Sequence, residues 1–99
     1  MKLEIYLNQE KENPGMLIAG VYMTLNATST MGVRTFEIMR SRGSGERIVT
    51  SIGLLCNNLI RYGISDFGLE IKRGRLDGVV YHEIETQIIR KLKSDKVLN

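Results

Sequence analysis

Gly43 to Gly63 reads GSGERIVTSIGLLCNNLIRYG, and the fold turns on this stretch. Before it, apolar residues recur at every second position. Inside it they recur at helical spacing: Ile48, Ile52, Leu55 and Leu59, flanked by Val49, Cys56 and Ile60. Ser44 is a good N-cap, because its hydroxyl can accept from a first-turn N–H that has no partner inside a helix. Glu46 puts negative charge in the first turn, where the helix dipole favours it. Gly63 is a natural stop.

Working outward toward the N-terminus, Lys2 to Leu7 alternates cleanly, with Leu3, Ile5 and Leu7 on one side and Lys2, Glu4 and Tyr6 on the other. That pattern predicts a half-buried strand. Asn8 to Gly15 (NQEKENPG) is polar and ends in Asn-Pro-Gly, a strong turn signal that contains Pro14, the only proline. Met16 to Asn26 is rich in strand formers, with Leu17, Ala19, Val21, Met23 and Leu25 on one face. Ala27 to Thr30 is a polar break, and Met31 to Arg40 alternates again through Val33, Phe36, Ile38 and Met39. Three consecutive strands with short connections predict an antiparallel meander.

On the C-terminal side, Ile64, Phe67, Leu69 and Ile71 predict a short strand over Ile64 to Lys72. Lys72 to Gly78 (KRGRLDG) reads as a loop. Val80, Ile84, Ile88 and Leu92 then form a second helical stripe with Asp77 as its cap, although Leu76 to Tyr81 also suits a fifth strand. The tail from Lys93 to Asn99 is expected to fray. The order is therefore β-β-β-α-β-α, an α+β class. The crossover rule makes strand four parallel to strand three. The simplest sheet sets it beside strand one, with the two helices covering the faces of the sheet.

The chain has 99 residues, one domain's worth (1–99), with 42% hydrophobic and 25% charged residues. No apolar run approaches the ~20 residues that span a bilayer, so no membrane segment is expected. The charged start, MKLEIYLNQEKEN, has no apolar secretion core, and a single cysteine suits a reducing compartment. A cytoplasmic protein is the expectation.

The order, together with Leu3-Glu4-Ile5-Tyr6 before Asn13-Pro14-Gly15 and Gly45-Glu46-Arg47 opening an apolar helix, resembles the ribonuclease H-like fold over roughly Lys2 to Val80. The likeness extends to Leu69-Glu70-Ile71, which sits where that family places its fourth strand. Members of the family hold two Mg²⁺ ions between carboxylates. By the resemblance, the family's first Asp falls at Asn8, its helix Glu at Glu46, and its next Asp in the region Lys72-Arg73-Gly74-Arg75. One carboxylate of three is kept, which implies a catalytically dead copy, with a degenerate metal nuclease using Glu46 as the third reading of function. Length and Ile-rich composition are also similar to small proteins of archaeal filamentous and rod-shaped viruses. That likeness implies a host-cell cytoplasm or virion location and high thermal stability.

The residues themselves point to phosphate. Arg40 to Arg47 (RSRGSGER) carries three arginines and one glutamate, and Lys72 to Arg75 (KRGR) three cations and no acid. A crossover helix starts at the C-terminal edge of the strands, so both segments should project from one edge of the sheet. There Arg40, Arg42, Arg47, Lys72, Arg73 and Arg75 could pair with nucleic-acid phosphates, independently of base sequence. Ser44 and Gly45 would add helix-terminal N–H groups, and Gly43 and Gly45 a close backbone approach. No aromatic residue interleaves these cations in sequence to stack a base.

No cofactor is called for. GSG before the helix lacks the Lys-Ser/Thr ending of a nucleotide-binding loop. Cys56 reads as a buried structural thiol and His82 as a surface or capping residue, and one of each makes no zinc site. Asn26-Ala27-Thr28 reads as a turn, not a glycosylation site. The run MLIAGVYM leaves Met16, Ile18 and Tyr22 needing cover, and the second helix is broadly apolar through Tyr81 and Ile89. A homodimeric interaction module is therefore the runner-up.

Overall fold

The computed structural model describes residues 1–26 and 32–98. Ala27 to Thr30, the expected break, Met31, and the side chains of Asn26 and Val33 lie outside the described residues. Strands β1 (Lys2–Gln9), β2 (Leu17–Asn26) and β3 (Val33–Gly43) precede helix α1 (Gly45–Arg61), strand β4 (Gly68–Arg73) and helix α2 (Gly78–Ser94). The sheet order is β3-β2-β1-β4, with β1–β2 and β2–β3 antiparallel and β4 parallel to β1. This is the expected α+β domain in the expected order.

Alternation fixes which way the sheet faces. Leu3, Ile5 and Leu7 of β1 and Leu17, Ala19 and Val21 of β2 are buried, and they meet Ile48, Ile52 and Cys56 of α1 and Ile84, Ile88 and Leu92 of α2 in one core. Both helices therefore lie on the same side of the sheet. The expectation that they would cover both faces is corrected. Opposite the core, Lys2, Glu4 and Tyr6, with Tyr22, Thr24, Glu37, Arg40, Glu70 and Lys72, form a polar face that no helix covers. The thinnest dimension, 18 Å, fits one sheet and one helix layer.

The ends of α1 follow its sequence. The Ser44 hydroxyl accepts from the Arg47 N–H at 3.3 Å, and the chain leaves at Tyr62 through Gly63 at φ 84°. In β3, a bulge sets Ile38 opposite no partner between the Met39 and Glu37 pairings. It explains how the adjacent apolar residues Ile38 and Met39 both pack on the core, while Phe36 stays largely exposed.

The Leu76–Tyr81 alternative resolves in favour of the helix. Asp77 caps α2, its carboxylate accepting from Val79 and Val80 N–H groups at 3.0 and 3.2 Å. The residues before it keep a trace of strand. The Gly74 N–H donates to the Leu7 carbonyl (2.8 Å) and the Gln9 N–H to the Arg75 carbonyl (2.7 Å), which straps the loop across the end of β1. Beyond α2, where fraying was expected, the Val97 and Leu98 N–H groups donate to the Leu92 carbonyl at 2.8 and 3.2 Å. Lys96 takes φ 61° to make that turn.

Candidate nucleic-acid interface

The C-terminal ends of β1, β3 and β4 and the starts of both helices fall at one end of the sheet, so the two basic segments do reach the same end. Their cations do not act as one group. Arg40, Arg42 and Lys72 stand on the open polar face, and each already has a carboxylate. Arg40 makes a two-pronged contact with Glu37 (2.9 Å each), and Arg42 another with Glu10 (2.7 and 3.1 Å). Lys72 lies 2.9 Å from Glu4 and 3.7 Å from Glu70, and Lys2 also pairs with Glu70. The bond from Lys72 and then that from Tyr6 hold the Glu4 carboxyl below its ordinary value. The Arg42 and Arg40 guanidinium bonds do the same for Glu10 and Glu37.

Arg47, Arg73 and Arg75 are different. Among the described residues none of them has a carboxylate partner; Arg73 Nε donates only to the Leu76 carbonyl at 2.8 Å. Arg47 stands over the end of β3, Arg75 over the end of β1, and Arg73 ends β4. Three strand spacings, about 14 Å, separate β3 from β4.

Two expected phosphate seats are taken. A Cβ on Gly45 would strike Ile84 Cδ1, and one on Gly43 would lie 2.6 Å from Arg47 Cδ. These glycines let α1 dock on α2 and let the Arg47 stem fold back, and they open no route for a ligand to the backbone. Ser44 is occupied in capping. Beside Gly45, a groove of about 590 Å³ runs between the first hairpin turn and the two helices, lined by Pro14, Leu17, Val80 and the carboxylates Glu46 and Glu83. Its polarity is wrong for phosphate.

The positions implied by the ribonuclease H resemblance fare as follows. Asn8 Oδ1 accepts from the Arg75 N–H at 2.9 Å, and it lies so close to Gly74 that no side chain fits there. Asn8 thus holds the loop to β1. Glu46 is exposed in the first turn of α1. Among the described residues no three His, Cys, Asp or Glu side chains come together as a metal site. Cys56 is buried, which pushes its thiol up to about 11, and His82 is exposed on α2.

Neither basic segment contains an aromatic residue, but strand register brings two tyrosines beside the cations of the open face. Tyr6 and Tyr22, on the two central strands, meet edge to face on the open side with centroids 5.4 Å apart. Lys72 Nζ lies 5.4 Å over the Tyr6 ring, and the Tyr22 hydroxyl donates to Glu37, the partner of Arg40. The signal was present in sequence as Tyr6 and Tyr22 at strand positions facing away from the core. Glu4, Tyr6, Tyr22 and Thr35 line a shallow hollow of about 340 Å³ there.

Among the described residues no helix is long and apolar enough to cross a membrane. No protein-family model, curated protein or solved structure matches the chain.

Proposed function

We propose that the protein is a small non-catalytic nucleic-acid-binding domain that contacts phosphates through Arg47, Arg73 and Arg75. The observation that carries this reading is that these three cations share one end of the sheet and have no carboxylate partner among the described residues. Arg40, Arg42 and Lys72 take a second place, because phosphate must displace Glu37, Glu10 and Glu4. Ion pairs at a protein surface are weak, so that exchange costs little. Tyr6 and Tyr22 on the same open face offer ring surface to unpaired bases, which favours a single strand over a duplex. The ribonuclease H-like relationship belongs to the same proposal, supported by the β-β-β-α-β-α order, as does an archaeal viral origin. Neither adds a catalytic role.

The test is fluorescence anisotropy with labelled single- and double-stranded oligonucleotides, comparing the wild type with the Arg47→Ala/Arg75→Ala variant. Both arginine side chains lie outside the core, so the variant should fold. Binding weakened tenfold or more supports the reading, and unchanged affinity overturns it. The free edge of β4 favours a second and independent reading, self-association.

A further inference from the structure

We propose that the edge of β4 pairs antiparallel with the β4 of a second copy of this chain, centred on Ile71, to make a continuous eight-stranded sheet. The direction of the backbone groups comes first. Gly68 and Gly74 donate their N–H groups to the Met1 and Leu7 carbonyls, so the even-numbered backbone groups of β4 point to β1. In a parallel ladder the alternate residues point the other way. The N–H and C=O groups of Leu69, Ile71 and Arg73 therefore face outward along the free edge. Tyr81 Oη lies 3.0 Å from the Ile71 carbonyl and 2.7 Å from Glu85 Oε2, and its one proton goes to the nearer carboxylate, which leaves the Ile71 carbonyl able to accept.

Charge selects the register. Centring the pair on Glu70 or on Lys72 sets like charges directly opposite each other, which destabilises a sheet. Centring it on Ile71 sets Glu70 opposite Lys72 of the second copy, twice by symmetry. Those two residues are the charged ones that β4 presents on the open face. The same register makes Ile71 exchange two hydrogen bonds with its own copy and Leu69 exchange two with Arg73, so the outward-facing groups are the ones used. Apolar cover lies beside it. Phe67, Leu69, Ile71, Ile89 and Leu98, with the carboxylate Glu85 among them, line a groove of about 400 Å³ along this edge, on the helix side. The opposite edge, β3, is protected by its bulge at Ile38 and by Arg40 and Arg42. β4 has neither a bulge nor a proline.

The experiment is sedimentation equilibrium of the wild type, of Glu70→Lys, of Lys72→Glu, and of the two variants mixed in equal amounts. The expected result is a concentration-dependent mass rising toward twice the 11.2 kDa chain for the wild type. Each variant alone should dimerise about tenfold more weakly, since two attractive cross-strand pairs become repulsive. The mixture should regain the wild-type mass, because every opposed pair is again of opposite sign. A wild type that stays monomeric, or a dimer indifferent to both substitutions, overturns the proposal. Should either variant unfold, amide exchange on the wild type decides. Leu69, Ile71 and Arg73 amides should gain protection with rising protein concentration, and equal exchange at all concentrations overturns the pairing.

Discussion

Replacing Gly45 by Ala tests the close contact between the starts of the two helices. The new methyl would meet Ile84 Cδ1, the tip of a side chain that is only 6% exposed, whereas Ile84 Cγ1 lies at 3.7 Å, an ordinary contact distance. Overpacking of this kind costs about 1–3 kcal/mol, and alanine's better helix propensity returns up to about 1. The clash is with a side-chain tip, so a net loss near 1 kcal/mol is expected, or about 4–8 °C in Tm for a domain of this size. Ile84→Val alone removes the colliding carbon and costs about 0.5–1.5 kcal/mol through lost burial. In the double variant the alanine methyl occupies the space that Cδ1 leaves. The pair should therefore cost no more than Ile84→Val alone, giving a favourable coupling of about 1 kcal/mol. Urea denaturation of the four proteins, with m unchanged, measures it. Additivity within about 0.5 kcal/mol, the behaviour of independent sites, would refute the close approach.

Lys96 holds a left-handed conformation at the end of α2, so Lys96→Gly should raise stability by up to about 1 kcal/mol by thermal or urea melting; a loss would contradict the turn geometry. Cys56, with its thiol pushed up to about 11 from an ordinary 9, is about one part in a thousand thiolate at pH 8. Its alkylation by iodoacetamide should track global unfolding. Because the folded state holds this proton more tightly, stability should fall as pH rises from about 9 through 11, and Cys56→Ala should flatten that decline. Glu46→Gln should strengthen nucleic-acid binding slightly by removing a negative charge beside Arg47. A magnesium-dependent nuclease activity lost in the same variant would favour the metal reading instead.

The elements were legible where local chemistry and tertiary packing agree. Leu3, Ile5 and Leu7 alternate because one face of β1 is buried, and Ser44 and Asp77 cap because the first N–H groups of each helix need acceptors. The layering was not. Ile18 and Tyr22 made β2 look buried on both sides, yet Tyr22 finds its cover in Tyr6 and Glu37, on the sheet itself. The bulge was hidden because Ile38 and Met39 are apolar in either register.

At the candidate site, the sequence showed that both basic segments reach one end, because a crossover helix must start there. It could not show that Arg42 meets Glu10, 32 residues away, or that Lys72 meets Glu4, since those pairs depend on strand register. Gly43 and Gly45 looked like room for a ligand. The room is used by Arg47 and Ile84.

The most direct measurement is the salt dependence of binding to a labelled single-stranded oligonucleotide, read by anisotropy from about 50 to 200 mM salt. Three arginines with no carboxylate partner among the described residues, engaging three phosphates, predict a log–log slope near −2, at about −0.7 per phosphate for a single strand. The Arg47→Ala/Arg75→Ala variant should bring that slope to about −0.7. Absence of binding at the lowest salt by folded protein, or binding whose affinity ignores salt, would contradict the account.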